Sequence, residues 1–382
     1  MTRIRLVVDG IFFQRGTSGI ARVWQSILPE LTQRYPVDVI LLDRGNSPEL
    51  AGVDKVPFPS YDSKYTAYDS ILIEGICKLR SADIFTSTYY TTPLHTPSIA
   101  VIYDMIPERL GWDLAGRTWR EKELAIAHGR RHLCISIKTR FDLLEFYPEL
   151  DRNAVDVAYC GVDPDIFSPS PPASLALLKT RLDLRQSFYI LVGNRDDYKN
   201  CGLFFKAVDS MRGIDFDILC VGGVPELEPF LAELVPRHCR VTCVELNDRD
   251  LAAAYGAATA LVYPSLYEGF GMPVIEAMAC GCPVITTNLG ALPEAAGDAA
   301  YIVSGHSASE MVEALRAVRV PEIRAKLKRA GLWQAGKFRW SNFVDALARN
   351  LQLVYRDATV GKFTQFYSRW RDLRTLQGEV DV

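Results

Sequence analysis

Two rhythms of apolar and polar positions alternate along this chain. Short apolar runs occupy residues 4–9, 37–42, 99–103 and 132–136 in the first half, and 188–193, 216–221, 240–245, 260–263 and 283–287 in the second. Runs of this length, bounded by turn residues, predict buried strands. Between them, residues 20–35, 118–129, 201–211, 248–256 and 274–279 repeat their apolar positions at helical spacing. Strand–helix alternation predicts βαβ units around a parallel sheet. Two such series predict two doubly wound α/β domains.

Between the series lies Ser168-Pro169-Ser170-Pro171-Pro172, which can continue neither a helix nor a central strand. A stiff linker there divides a domain at 1–168 from a second at 173–359, with a cleft between them for a ligand. After Trp340 the pattern is helical to the end, with Phe343, Leu347, Leu351 and Val354 on one face. Phe363, Phe366, Tyr367 and Trp370 then form an aromatic stripe, read as packing. An aromatic helix needs a surface to cover, so residues 360–382 are expected to return to the first domain.

Composition narrows the class. Of 382 residues, 48% are hydrophobic and 23% charged, as in a folded enzyme rather than a disordered chain. A net charge of -3 argues against a general nucleic-acid binder, although a local basic patch fits the same total. Nine scattered cysteines make no two-pair zinc framework, and a reduced, cytoplasmic chain is the simplest reading. The first nine residues read as a strand, not a signal peptide, and no apolar run is long enough to span a membrane. Arg369, Arg371 and Arg374 leave room for peripheral contact with the inner face of a membrane, a solvated helix face being the plainer reading.

Chemistry concentrates in Tyr267-Glu268-Gly269-Phe270-Gly271-Met272-Pro273-Val274-Ile275-Glu276. A glycine turn feeding a helix offers backbone N–H groups to an anion such as phosphate. The flanking carboxylates can accept hydrogen bonds from hydroxyls on either side of it. Hydroxyl, phosphate, hydroxyl is the layout of a nucleotide sugar. A second cluster, Gly193-Asn194-Arg195-Asp196-Asp197-Tyr198-Lys199-Asn200, follows a predicted strand, and its Arg195 and Lys199 could reach a diphosphate. Breaking a sugar–phosphate bond leaves negative charge on the leaving group, which fixed cations stabilise.

The stretch from Ser265 to Ile285 resembles the donor-site signature of retaining glycosyltransferase family 4, the E-x7-E motif. Leu292-Pro293-Glu294 and Gly297-Asp298-Ala299-Ala300 are similar to its continuation. The resemblance implies the GT-B fold, two Rossmann-like domains facing a cleft with the C-terminal helix crossing back. It implies hexose transfer from a nucleotide sugar, UDP-glucose or GDP-mannose, to a glycan or lipid-linked oligosaccharide in polysaccharide biosynthesis. In that pattern Glu268 faces the sugar hydroxyls and Glu276 the ribose. The N–H groups of Phe270, Gly271 and Met272 face the sugar and diphosphate, with Val274 and Asn194 in the same donor set. Arg195 and Lys199 match the family's basic pair. The loop at Gly16-Thr17-Ser18-Gly19 resembles its N-terminal glycine loop, placing Gly19 by the sugar phosphate. Base choice is assigned to Glu245 and Leu246, in a loop after a predicted strand.

One position departs from the pattern. Where the family often has His-Asp, this chain has Tyr103-Asp104, and tyrosine is a poor general base near neutral pH. Tyr103 and Asp104 are assigned to the acceptor side, with capping of a turn the plainer role for Asp104. His95, His128, His132, His238 and His306 are dispersed, and neither Asp215-Phe216-Asp217 nor Asp163-Pro164-Asp165 clearly calls for a metal. No metal and no cofactor are expected. The rival readings are an epimerase or phosphorylase on the same fold, and a catalytically silent sugar-nucleotide-binding or scaffold protein.

Overall fold

The computed structural model describes residues 3–16, 19–61, 66–184, 187–195, 197–211, 215–236 and 239–380. Thr17 and Ser18 of the glycine loop, Asp196 and His238 lie outside them. The chain forms two compact units. One comprises Met1–Gly161 and Trp340–Val382, the other Val162–Arg339.

The first unit is built on parallel strands β1 (Ile4–Asp9), β2 (Val37–Asp43), β3 (Val53–Pro57), β4 (Ile84–Ser87), β5 (Ser98–Ile102), β6 (Gly129–Cys134) and β7 (Val155–Val157). Their order is β3-β2-β1-β4-β5-β6-β7, so the chain reverses direction across the sheet between β1 and β4. Helix Gly19–Arg34 buries Val23, Trp24, Ile27, Leu28 and Leu31. Helix Trp340–Thr359 buries Phe343, Leu347, Leu351 and Val354, the four positions of the sequence pattern. This unit therefore regains the chain at Trp340, ahead of the expected position near 360.

Helix Thr364–Val380 carries the aromatic stripe. Tyr367 and Trp370 are buried, their rings 4.9 and 5.1 Å from His128, and the Arg130 guanidinium lies 3.6 Å over Phe366. Arg374, grouped by sequence with exposed basic residues, is buried. It donates to Ser70 Oγ at 2.8 Å and lies 3.8 Å from Glu121. Helical periodicity places it one turn from Trp370, on the inward face. Among the described residues, no helix is long and apolar enough to cross a membrane. None of the nine cysteines is in a disulfide.

In the second unit, β8 (Phe188–Val192), β9 (Asp217–Val221), β10 (Arg240–Val244), β11 (Ala260–Tyr263), β12 (Val284–Thr287) and β13 (Tyr301–Val303) are again parallel. Their order, β10-β9-β8-β11-β12-β13, reverses between β8 and β11. Tyr189, Phe204, Phe205 and Phe216 meet edge to face in its core. The boundary falls at Val162, upstream of the proline-rich segment. The reason lies in residues 162–167: Val162 N donates to Phe338 O at 3.1 Å, and buried Phe167 lies against Tyr255, both within the second unit. The prolines instead lead into helix Pro172–Arg181.

Candidate functional site

Where strand order reverses in an open parallel sheet, the loops leaving the two central strands diverge and leave a crevice at the C-terminal edge. In the second unit these loops are residues 193–200 after β8 and 264–271 after β11. They are sewn together. Leu266 N donates to Tyr198 O at 2.8 Å, and Asn200 Nδ2 donates to Pro264 O at 3.1 Å and Gly305 O at 2.8 Å. Asn200 adopts a left-handed φ of 57°, which asparagine tolerates better than most residues. From β12, the hydroxyls of Thr286 and Thr287 donate to Tyr263 O and Ser265 O at 2.8 and 2.7 Å, fixing the exit of β11.

These ties bring Lys199 and Glu268 together. Lys199 Nζ donates to Glu268 Oε1 at 2.7 Å and to the Tyr263 hydroxyl at 3.1 Å. Burial works against the Lys199 charge, but Glu268, with Tyr263 and Tyr198, more than offsets it and holds the ammonium well above its ordinary range. Burial, reinforced by Glu268, raises the Tyr263 phenol and keeps it neutral. A small pocket lined by Gly193, Asn194, Lys199, Tyr263 and Ser265 opens here. Ser265 Oγ is buried without a hydrogen-bond partner among the described residues.

Glu268 is also held by its backbone. Ala291 N donates to Glu268 O at 3.0 Å, and a Cβ on Gly290 would fall 2.6 Å from Glu268 N. Gly271 takes a φ of 103° ahead of helix Met272–Ala279, with Pro273 in its first turn. The first N–H groups of a helix have no intrahelical acceptor and carry its partial positive charge. The Phe270 ring is buried edge to face with Phe338 at 5.3 Å, so its backbone is what a ligand could meet. Val274 is buried, and so is Glu276, which accepts from the Tyr255 hydroxyl at 3.4 Å.

Arg195 is placed otherwise than expected. Its guanidinium does not join Lys199 and Glu268. Nε donates to Glu228 Oε2 at 2.7 Å, Nη1 to Gly222 O at 2.8 Å, and Nη2 to Val224 O at 2.7 Å and Glu226 O at 3.1 Å. These partners all lie in the segment that follows β9, the neighbour of β8 on the side away from β11. Asn194 and Glu245 are exposed and Leu246 is half-buried, beyond the ends of β8 and β10. In the first unit, Gly19 opens helix Gly19–Arg34. Tyr103 is a core residue: its hydroxyl accepts from Trp24 Nε1 at 2.5 Å and donates to Thr88 O at 3.1 Å, and burial raises its pKa well above the usual phenol. Asp104 Oδ1 accepts from Ile106 N at 3.0 Å, two residues on, which closes a turn ahead of the helix.

Sequence reasoning passed over Tyr263, Asn200, Ser265 and the Gly290–Ala291 brace. Asn200 stood beside the basic pair without a role, and Tyr263 was hidden as a strand residue. It also passed over a buried ionic cluster in the first unit. There Arg44 pairs with Asp9 at 2.7 Å, Thr91 Oγ1 donates to Asp9 Oδ2 at 2.5 Å, and Arg117 pairs with Asp69 at 3.2 Å. Its members are dispersed along the chain and carry no shared signal. Among the described residues no group of three histidines, cysteines or carboxylates could hold a metal.

Comparison with known proteins finds glycosyltransferases. Residues 187–319 match the family described as Glycosyl transferases group 1. A D-inositol 3-phosphate glycosyltransferase of Mycolicibacterium smegmatis is 32% identical over 218 residues, 54% of this chain and 49% of the relative. An O-antigen chain mannosyltransferase B of Escherichia coli is 30% identical over 221 residues, 55% of this chain and 57% of the relative. The chain thus spans about half the length of these curated relatives. The Anabaena protein Alr3699/HepE, solved in complex with UDP-glucose, superposes with a TM-score of 0.70 at 14% identity, covering 92% of this chain and 100% of that one. The chain has the GT-B fold, and residues 187–319 of its second unit match the group 1 glycosyl transferase family.

Proposed function

We propose that this protein is a retaining glycosyltransferase that moves a hexose from a nucleotide sugar, UDP-glucose or GDP-mannose, to a glycan or lipid-linked oligosaccharide in polysaccharide biosynthesis. The observation that carries the reading is the Lys199–Glu268 pair at the strand-order reversal, beside the Gly271 turn and the start of helix Met272–Ala279. As the sugar–phosphate bond breaks, charge grows on the departing diphosphate. Lys199 and the N–H groups from Phe270 to Met272 stabilise it. Glu268 accepts hydrogen bonds from the sugar hydroxyls and Glu276 from the ribose. A sugar engaging Glu268 frees Lys199 from its carboxylate for the phosphate. With this charge supplied by protein groups, the reaction uses no metal and no cofactor.

In this reading the departing phosphate takes the acceptor's proton, so retention needs no general base at Tyr103, whose hydroxyl is already engaged. The first unit takes the acceptor, with Asp104 ordering its loop. The UDP-glucose bound by the Anabaena protein and the mannosyl and O-antigen chemistry named for the E. coli relative support the two donors and the acceptor class. The protein works in the cytoplasm, with peripheral contact at the inner face of the membrane for a lipid-linked acceptor.

The test mixes UDP-glucose or GDP-mannose with a pool of glycans and lipid-linked saccharides and follows the new anomeric proton by NMR. Expected is transfer with the donor's anomeric configuration, reduced by roughly a hundredfold to a thousandfold in Lys199→Ala through loss of a charge-stabilising donor. Inversion would overturn the retaining assignment. Binding without turnover on any acceptor would favour a silent sugar-nucleotide binder, and an isomerised nucleotide sugar an epimerase.

A further inference from the structure

Arg195 lies in the same loop as Lys199, yet the two cations have different surroundings. A guanidinium has five N–H donors in a fixed fork. Four hydrogen bonds of Arg195 go to one segment, residues 222–228: to the carbonyls of Gly222, Val224 and Glu226 and to the Glu228 carboxylate. Unlike Lys199, whose carboxylate partner a sugar could engage, Arg195 spends three of these bonds on backbone carbonyls that no ligand releases, which leaves little for a phosphate. The segment is shaped for this contact. Gly222 and Gly223 have φ values of 81° and 78°, and a Cβ on Gly223 would lie 3.2 Å from Arg195 Nη1.

The position of the segment gives the contact its meaning. Gly193 N donates to Val221 O at 2.9 Å, and Gly222 N donates to Val244 O at 3.0 Å. The segment therefore leaves the sheet between Gly193–Asn194 on one side and Glu245–Leu246 on the other. Asn194 is placed in the donor set, and Glu245 and Leu246 are assigned to the base. Whatever sets its height above the sheet sets the wall between those two contacts.

We infer that Arg195 is a positioning residue: it clamps residues 222–228 as a wall of the donor pocket and does not itself hold the diphosphate. The inference rests on the donor-site reading of the second unit. Clamping and phosphate holding differ in what they ask of Glu228. If Arg195 holds phosphate, Glu228 competes with the ligand, and its removal leaves activity unchanged or raises it. If Arg195 clamps the loop, Glu228 is half of the device.

The experiment has two arms. In the free protein, amide hydrogen exchange across residues 222–228 is compared for wild type, Arg195→Ala and Glu228→Gln. Faster exchange in both variants is expected, and unchanged exchange overturns the clamp. In the second arm, KM and kcat are measured with UDP-glucose or GDP-mannose, whichever the wild type consumes. Both variants should raise the donor KM about tenfold and change kcat by less than about threefold, as expected when a ligand-binding wall is loosened. Arg195→Lys should not restore KM, because an ammonium cannot reproduce the fork, whereas millimolar ethylguanidinium should restore much of it in Arg195→Ala. A fall in kcat of about a hundredfold in Arg195→Ala, with Glu228→Gln at or above wild type, would overturn the inference in favour of phosphate holding. Faster exchange in the variants together with no nucleotide-sugar binding by the wild type would overturn the donor-site reading, and with it the wall, while the clamp itself stood.

Discussion

Glu268 illustrates how much of a site residue's placement lies outside its own side chain. Its carboxylate meets Lys199, but its backbone is set by Gly290 and Ala291, which follow a different strand. Gly290 has a φ of 58°, and its missing Cβ would fall 2.6 Å from Glu268 N and 2.9 Å from Glu268 O. Gly290→Ala should therefore destabilise the protein by about 1–3 kcal/mol, from left-handed strain and steric displacement together. It should also lower turnover by moving Glu268. Urea denaturation and a donor-hydrolysis assay check both effects, and a variant equal to wild type in both would contradict the brace. The E-x7-E string made Glu268 and Glu276 legible, and Lys199 was legible because cations suit a diphosphate. The partners of Arg195 were not, because three of them are backbone carbonyls of residues 222–228, and carbonyls leave no mark in a sequence.

Element by element, strands buried on both faces announced themselves and short or marginal ones did not. The pattern captured β1, β2, β8, β9 and β11, whose residues are largely apolar and buried. It missed β3, a half-exposed strand at the sheet edge reading Val-Asp-Lys-Val-Pro, and the three-residue edge strands β7 and β13. Four-residue β4 is buried, but its Ile-Phe-Thr-Ser is only half apolar and makes no run. Such strands owe their place to neighbours rather than to their own pattern. The last helix was expected to cover the first domain through its aromatic stripe, and within the first unit it also brings Arg374 to Glu121.

That contact has a pH signature. Burial pushes the Glu121 carboxyl up to about 7, with Arg374 and Arg117 pulling it only part of the way back and Asp69 adding to the rise. In the unfolded chain it titrates near 4.5. Between pH 4.5 and 7 the native state holds a proton that the unfolded state has released. Its contribution to stability is complete below about 4.5 and is lost as pH rises through about 7. Glu121→Gln cannot ionise and should escape this loss. Its Tm relative to wild type should therefore climb across that window, as differential scanning calorimetry at several pH values would show. A Tm difference independent of pH would contradict the assignment.

For the whole molecule, two parallel sheets with a strand-order reversal in each were legible from the alternation of short apolar runs and helical segments. Which reversal carries the charged cluster was legible only through the motif residues. Within the second unit, Lys199, Glu268 and Tyr263 meet because Asn200, Thr286, Thr287 and Gly290 fix the loops on which they stand. If this is a donor site, its nucleotide half and its transfer half should separate by mutation. Glu268→Ala should weaken turnover more than nucleotide binding, and Glu276→Ala should weaken the binding itself. The most direct measurement is isothermal titration of UDP, GDP, UDP-glucose and GDP-mannose into wild type and Glu276→Ala. Expected is binding of one nucleotide and its sugar conjugate by the wild type, weakened about tenfold or more by Glu276→Ala as a charge-assisted hydrogen bond to the ribose is lost. Binding of none of the four by the wild type, or equal affinity in the variant, would contradict it.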